Sequence, residues 1–193
     1  MRICILGSNG QLGFVGSYVA TSLVDANVSA DFVQNSTGAA YGVAARLNGS
    51  NTINALTGYA YAYEPFASGG LGEVVLYKIT GANLTDLGSQ QVTLDVANKD
   101  YKFSLDVVGT QLHGRIYEIG GGLVAEKIAS DAAYASGFPG LFGYSAAAAQ
   151  VPTDYTVDNF QATNGPEPAT LLLGGMGLAA LQFVRRGISR RAS

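Results

Sequence analysis

The stretch Asp100-Tyr-Lys-Phe-Ser-Leu-Asp-Val-Val-Gly-Thr-Gln-Leu-His-Gly-Arg-Ile-Tyr-Glu-Ile119 decides how this chain is expected to fold. From Asp100 to Val108, apolar and polar side chains alternate, which is the period of a strand with one buried face. One side carries Tyr101, Phe103, Leu105 and Val107, and the other carries Lys102, Ser104 and Asp106. Gly109-Thr110 supplies a turn into the next strand, Gln111–Ile119. The stretch therefore predicts an antiparallel β-hairpin.

Similar strand patterns recur along the middle of the chain, separated by Gly, Asn and Ser. Tyr59-Ala-Tyr61-Ala-Tyr63 alternates strictly, so its tyrosines share one face of a strand. Regular alternation without a long helical pattern favours an all-β antiparallel sandwich over residues 28–163. The further strand candidates are Val28–Val33, Tyr41–Leu47, Gly72–Thr80, Val124–Ala129, Gly140–Tyr144 and Thr156–Ala162.

Composition excludes several classes of protein. The chain has 193 residues, a formal net charge of -3, 26 glycines, one Cys and one His. One Cys rules out a disulfide framework or a thiolate zinc site, and one His rules out a His-rich metal centre. No basic field exists for nucleic acid, which is therefore not an expected partner. The charge is uneven, because residues 166–193 carry +3 and the preceding 165 residues carry -6.

The C-terminal segment orders its residues in a distinctive way. An uncharged apolar run, 169–184, lies between a Pro-Glu-Pro motif and a basic tail, 185–193. The run would form a helix of about 24 Å. A helix that spans a membrane usually has roughly 20 residues and a length of about 30 Å, so this one is slightly short. Since it lacks the polar face of a core helix, we expect it to cross a membrane. The basic anchors, which would stay in the cytoplasm, are Arg185, Arg186, Arg190 and Arg191.

Residues 164–193 resemble the PEP-CTERM sorting signal of exported bacterial proteins. The resemblance rests on Pro166-Glu167-Pro168, the apolar run and Arg185-Arg186, in that order. It implies that an exosortase, a membrane cysteine protease-transpeptidase, recognises Pro166, Glu167 and Pro168. It also implies export across the inner membrane, C-terminal anchoring before cleavage near the motif, and delivery to the cell surface or medium in bacteria that make exopolysaccharide.

The body resembles the concanavalin A-like, laminin G-type jelly roll in the order of its strands. The segments that carry the resemblance are Tyr41–Arg46, Val75–Ile79, Phe103–Gly109, Gly140–Gly143 and Val157-Asp-Asn-Phe160. In such domains the last strand packs back against the first strands. The resemblance implies a sandwich with a concave face that often binds glycans, sometimes with calcium.

Two groups of residues are candidates for binding. Tyr59, Tyr61 and Tyr63 would form a platform on which sugar rings stack, or else half of a core layer. Asp154, Asp158 and Asn159 would offer oxygen ligands to calcium, or else serve as turn and edge residues. No other cofactor is expected.

The residues that catalysis would need are not arranged in a recognisable pattern. A retaining glycosidase needs two carboxylates about 5 Å apart, commonly from alternate residues of one strand. None of Glu64, Glu73, Glu118 and Glu126 has an acid two residues away. His113 lies in an alternating strand and is interpreted as a surface residue. We therefore expect a non-catalytic protein that binds polysaccharide or serves in the extracellular matrix, with a glycan-active hydrolase as the alternative.

The N-terminal segment, 1–27, fits no single interpretation. Its apolar run, Ile3–Leu6, is shorter than the roughly 7–15 residues of a signal peptide, so a truncated or misplaced start is inferred, or a first strand. Gly7, Gly10 and Gly13 resemble the Gly-rich turn of short-chain dehydrogenases, with Asp31 as the ribose-binding acid. No Tyr is followed four residues later by Lys. A nucleotide-binding oxidoreductase is therefore a distant alternative.

Overall fold

Eleven β-strands make up the regular structure of the residues that this computed structural model describes, namely 2–5, 21–33, 39–49, 55–65, 71–144 and 153–165. The strands are β1 (Arg2–Ile5), β2 (Ala26–Val33), β3 (Ala40–Asn48), β4 (Thr57–Glu64), β5 (Glu73–Thr80), β6 (Asn83–Gln91), β7 (Tyr101–Val108), β8 (Gln111–Glu118), β9 (Leu123–Ser130), β10 (Phe138–Tyr144) and β11 (Thr153–Asn164).

The strands form two antiparallel sheets. One sheet has six strands in the order β1-β11-β2-β7-β8-β9, and the other has five in the order β10-β3-β4-β5-β6. The predicted hairpin is confirmed, with β7 and β8 paired from Tyr101↔Glu118 to Val108↔Gln111. The all-β antiparallel sandwich is likewise confirmed. Since every described strand pair is antiparallel, the alternating strands and helices of a dinucleotide-binding fold do not occur in this part of the chain.

The C-terminal segment falls outside this description. None of the described ranges contains a helix with the length and apolar character that crossing a bilayer requires. The run 169–184, the motif 166–168 and the basic tail 185–193 all lie outside the described residues. The transmembrane helix therefore stays a prediction.

The alternation pattern does not predict two of the described strands, β6 and β1. β6 reads Asn-Leu-Thr-Asp-Leu-Gly-Ser-Gln-Gln and forms an edge, bonded within its sheet to β5 alone. A strand at an edge is only partly buried, so it does not need the apolar alternation of a core strand. β1 pairs with β11 from Arg2↔Thr156 to Ile5↔Thr153, so the start of the chain supplies a strand.

The core between the sheets is aromatic. Tyr59, Tyr61 and Tyr63 are 0%, 0% and 3% exposed and belong to the main hydrophobic cluster. The centroid of the Tyr61 ring lies 6.5 Å from that of Phe103, which belongs to the opposite sheet. The prediction of a glycan-stacking platform on these tyrosines is therefore wrong, because their rings fill the space between the sheets. They form the core layer that the alternative interpretation required.

A glycine in the middle of β8 makes room for one of these rings. A Cβ atom on Gly114 would lie 2.4 Å from the ring of Tyr61, closer than any real carbon contact. The absence of a side chain at Gly114 therefore lets the two sheets close around the tyrosine.

We expect Gly114→Ala to lower the free energy of unfolding by about 1–3 kcal/mol, because the added methyl overpacks a filled core. The matched control is Gly122→Ala, where a Cβ would meet no described atom within 4 Å. Urea unfolding of both variants measures the difference. Equal stability of the two variants would contradict the packing of Tyr61 on this glycine.

A buried arginine closes one end of the sandwich. Arg46 is 2% exposed and has a φ of 52°, at a bulge that interrupts the pairing of β3 with β4. The bulge turns its side chain inward. Its guanidinium donates to the carbonyl oxygens of Val24, Gly109 and Tyr134, each at 2.8 Å. It also lies 3.4 Å from the Asp25 carboxylate, which accepts a hydrogen bond from the Gly109 amide at 2.8 Å.

This arginine joins both sheets. Arg46 belongs to β3, whereas its carbonyl partners precede β2, form the β7–β8 turn and connect β9 to β10. Burial lowers the pKa of the guanidinium and Asp25 opposes that effect, but arginine keeps its charge in proteins. The positive charge of Arg46 is therefore compensated by three carbonyl dipoles and the Asp25 carboxylate.

We expect Arg46→Met to lower the free energy of unfolding by about 3–5 kcal/mol, because it leaves the buried Asp25 carboxylate without its counter-charge and three carbonyl oxygens without the donor that joins them. Lys99→Met is the control, since Lys99 pairs with Glu118 at 2.8 Å on the surface. That control should change stability by less than about 1 kcal/mol. Chemical denaturation followed by circular dichroism gives both values, and a similar effect of the two changes would refute the role of Arg46.

Candidate functional site

Charged and polar side chains from neighbouring strands lie together on the outward side of the six-stranded sheet. We call it the polar face. Its residues are Asn27, Ser29, Asp31, Lys102, Ser104, Asp106, His113, Arg115, Tyr117, Glu126 and Asp158. The period of two produces it, because each inward apolar residue of β7 is followed by an outward polar one.

Strand register arranges these side chains in rows. The three rows across β2, β7 and β8 are Asn27-Asp106-His113, Ser29-Ser104-Arg115 and Asp31-Lys102-Tyr117. Successive rows are about 6.7 Å apart, which is two residues of a strand. Residues that are far apart in the chain therefore form one continuous surface.

Arg115 organises the first two rows. Its Nη1 donates to Asp106 Oδ2 at 2.7 Å, and its Nη2 lies 2.7 Å from His113 Nδ1. Asn27 Nδ2 also donates to Asp106. His113 Nε2 lies 3.1 Å from Glu126 Oε2 and accepts from Arg115 Nε at 3.2 Å. These contacts hold a guanidinium, an imidazole and two carboxylates in defined positions before any ligand arrives.

A cavity of about 340 Å³ opens beside this network. The residues that line it are Ala26, Asp106, Val108, Gln111, His113, Arg115 and Gly165. A volume of this size is at the lower end for small-molecule sites, which typically combine apolar walls with a few placed polar groups. The cavity offers both hydrogen-bond donors and acceptors, so it suits a hydroxylated ligand.

The calcium candidates lie at the other end of the polar face. Asn159 has a φ of 48° at a bulge, and its Nδ2 donates to Asp31 Oδ2 at 2.8 Å. Its backbone amide donates to Asp158 Oδ1 at 2.9 Å. Asp154 lies in β11, but its side chain is outside the description.

Calcium requires 6–8 oxygen ligands. In the described ranges no group of three or more His, Cys, Asp or Glu residues is placed to hold one ion. Lys102 Nζ, 3.8 Å from Asp31 Oδ1, already supplies a cation there. The described residues thus do not assemble a calcium cage, and calcium binding stays a prediction.

The structure brings together one pair of acids that a search along single strands does not find. Glu64 and Glu73 are register partners across β4 and β5, on the outer side of the five-stranded sheet. Tyr77 donates a hydrogen bond to Glu64. Burial raises the pKa of Glu64, the Tyr77 hydrogen bond opposes this, and Glu73 adds to the rise. The pair became visible only through cross-strand register.

The site residues that sequence reasoning missed are Asn27, Asp106, Gln111, Arg115 and Glu126. A signal did exist, because His113 and Arg115 alternate in the strand that follows Lys102, Ser104 and Asp106. The alternation assigns these side chains to the faces of their strands but gives them no binding role. The sorting-motif residues and the basic anchors lie beyond the described part of the chain.

Comparison with known proteins supports a division of the chain into a sandwich and a sorting tail. Residues 166–191 match the PEP-CTERM protein-sorting motif. No curated protein sequence is significantly similar to the chain. The motif accounts for the C-terminal end alone.

Solved structures resemble the body. The carbohydrate binding module CBM66 from Bacillus subtilis superposes with a TM-score of 0.57 at 19% identity, over 82% of this chain and 84% of that one. The exoplasmic/lumenal domain of VIP36, in a Ca²⁺/Man3GlcNAc-bound form, gives 0.54 at 11% identity, over 86% and 84%. At these identities the likeness establishes the fold alone.

An enzyme is also among the similar structures. The xylan β-1,4-xylosidase from Bacillus halodurans C-125 gives a TM-score of 0.53 at 12% identity, over 84% of this chain but only 32% of the enzyme. The chain thus spans about a third of that protein. The chain therefore consists of an antiparallel β-sandwich followed by a PEP-CTERM protein-sorting motif. The fold of the sandwich is similar to that of a carbohydrate-binding module.

Proposed function

We propose that this chain is an exported, non-catalytic protein that an exosortase sorts through Pro166, Glu167 and Pro168 and whose sandwich binds polysaccharide on the polar face. The observation that carries the proposal is the match of residues 166–191 to the sorting motif. In this proposal the run 169–184 spans the membrane and the basic tail stays in the cytoplasm. The acidic body then lies on the outer side.

The junction between body and tail is compatible with processing. β11 ends at Asn164, and the Gly165 amide donates to the Asp25 carbonyl at 3.0 Å. The motif begins at the next residue. Cleavage at or after the motif would therefore release or transfer the sandwich with all of its described strands.

The chemistry of the polar face supports glycan binding. Sugar hydroxyl groups donate and accept hydrogen bonds, and the cavity presents a guanidinium and an amide beside a carboxylate. Because the Arg115 network is already in place, a ligand would not have to order these side chains. The likeness to CBM66 and to the glycan-bound VIP36 domain agrees with such a role.

A glycan-active hydrolase is the second candidate function. The Glu64–Glu73 pair favours it, because directly opposed residues have Cβ atoms about 5 Å apart and a retaining mechanism needs carboxyl groups at a similar separation. A raised pKa at Glu64 suits a general acid. Release of reducing ends from a bound polysaccharide would favour this function over binding alone.

The sorting proposal predicts that Pro166→Ala together with Glu167→Ala blocks processing in an exosortase-bearing host. The unprocessed chain should accumulate in the membrane fraction, as measured by immunoblotting of cell fractions and medium. Glu118→Ala is the control, because Glu118 is a surface residue of the sandwich whose loss should leave processing unchanged. Normal cleavage and surface release of the double variant would contradict the proposal.

The binding proposal predicts that Arg115→Ala weakens polysaccharide affinity at least about tenfold, since a hydrogen bond to a charged group contributes about 1.5–3 kcal/mol. Lys99→Ala removes the same charge from a surface ion pair with Glu118, outside the polar face, and should bind as the wild type does. Affinity electrophoresis or calorimetry with the host's own exopolysaccharide measures both. Undiminished binding by Arg115→Ala would place the ligand elsewhere.

A further inference from the structure

The lining of the cavity combines hydrogen-bond donors with an apolar wall. Three of the lining residues, Ala26, Val108 and Gly165, carry no polar side-chain group. Val108 is only partly buried, and it lies directly opposite Gln111 across the β7–β8 hairpin, on the outward side of the sheet. A ligand in the cavity would therefore meet the methyl groups of Val108 on one strand and the amide of Gln111 on the next.

The acceptor groups at the cavity already have partners. Each oxygen of the Asp106 carboxylate accepts one hydrogen bond, Oδ1 from Asn27 and Oδ2 from Arg115. The two ring nitrogens of His113 lie 2.7 and 3.2 Å from nitrogen atoms of Arg115. A ligand would therefore gain little by donating hydrogen bonds to these residues.

Donor groups at the cavity are only partly used. A guanidinium has five N–H groups, and Arg115 directs three of them to Asp106 and His113. The Arg115 side chain is 28% exposed, so its remaining N–H groups are within reach of a ligand. Gln111 is exposed, and its side-chain amide forms no hydrogen bond with a described residue. Free N–H donors at the cavity therefore outnumber free acceptors.

An acetyl group has the chemistry that complements this lining. Its carbonyl oxygen accepts hydrogen bonds and donates none, and its methyl group is apolar. The carbonyl oxygen would accept from Arg115 and Gln111 while the methyl group packs against Val108, which removes apolar surface from water. A free hydroxyl in the same place would leave Val108 without an apolar partner.

A carboxylate also accepts hydrogen bonds without donating any, but the charges at the cavity disfavour it. Asp106 already neutralises Arg115 at 2.7 Å. Glu126 places a second negative charge 3.1 Å from His113. A ligand carboxylate would bring a further negative charge next to Val108 without a free counter-ion, and burial of an uncompensated charge is costly. The cavity therefore favours an uncharged acceptor.

We infer that the cavity recognises an acetylated residue of the polysaccharide, with Arg115 and Gln111 at the carbonyl oxygen and Val108 at the methyl group. This inference rests on the proposed binding function, and it names the substituent that the site selects. O-acetyl and N-acetyl groups share this chemistry, so sugar esters and acetamido sugars are the two possible sources of the ligand.

The test compares pairs of ligands with and without acetyl groups. Native konjac glucomannan, which carries O-acetyl esters, is compared with the same polymer after mild alkaline deacetylation. Chitohexaose, which has an acetamido group on each sugar, is compared with cellohexaose, which has a hydroxyl group there. Alginate supplies a carboxylate on each sugar. Affinity electrophoresis for the polymers and calorimetry for the hexasaccharides measure binding to the full-length chain in mild detergent.

Two conservative variants change the cavity itself. Val108→Thr replaces a methyl group by a hydroxyl of similar size, and Gln111→Glu removes the amide donors. The matched controls are Val24→Thr and Gln90→Glu. Val24 is 65% exposed and Gln90 is an exposed residue of β6, and neither lines the cavity.

We expect the wild type to bind at least one acetylated ligand about tenfold more tightly than its partner without acetyl groups, because that partner lacks a hydrogen bond to a charged donor. Val108→Thr should weaken this binding about fourfold, the effect of one buried methyl group. Gln111→Glu should weaken it about tenfold, through the lost donors. Neither variant should lower the thermal midpoint more than its control does, whereas a merely structural role would.

The outcomes separate the acetyl group from the proposed function. Equal affinity within each pair, or binding to none of these ligands, refutes recognition of an acetyl group. The binding function is then decided separately by Arg115→Ala and the host's own exopolysaccharide. Stronger binding to alginate assigns a carboxylate to the cavity and overturns the inference. If acetyl-dependent binding persists in both cavity variants, the acetyl group binds elsewhere and the inference is wrong.

Discussion

The guanidinium of Arg46 is the contact on which the two sheets depend at one end of the sandwich. A single side chain from β3 donates to carbonyl oxygens in three separate connections, each of which adjoins a strand of the polar face. Arg46 is 2% exposed, so any displacement of these connections would leave a buried guanidinium without hydrogen-bond partners, which is costly. The start of β2 and the β7–β8 turn are thereby held in register, and that register sets the rows of the polar face.

Because side chains alternate along each strand, apolar side chains of the six-stranded sheet lie inside the sandwich and polar side chains lie outside it. Aromatic rings occupy the inward positions, where Phe32 and Phe103 lie 4.9 Å apart between centroids and Tyr61 packs over Gly114. Charged and hydroxyl groups occupy the outward positions of the same strands. The tyrosines therefore contribute stability. In the function proposed above, Arg115, Asp106 and His113 would recognise a ligand through hydrogen bonds, and no stacking on the tyrosines would take part.

The body and the tail have distinct tasks in the function proposed above. The tail directs where the protein goes, and a short contiguous motif is enough for that purpose. The body supplies a folded surface, assembled from strands that are distant in the chain. Only Gly165, which helps to line the cavity, separates β11 from the motif along the chain.

Local chemistry by itself determined much of this protein. Strand period, the hairpin turn at Gly109-Thr110, and the tail with its Pro-Glu-Pro motif are properties of neighbouring residues, so each is predictable from the amino-acid sequence alone. Strand β6 is not predictable in this way, because its residues lack the apolar alternation that identifies a strand. Its place in the sheet comes from pairing with β5. Alternation showed that Tyr59, Tyr61 and Tyr63 share a face, but it did not show which face turns inward. The cavity, the contacts of Arg115 and the Glu64–Glu73 pair were decided by tertiary structure alone. Register across antiparallel strands joins residues that lie tens of positions apart, and no local pattern carries that information.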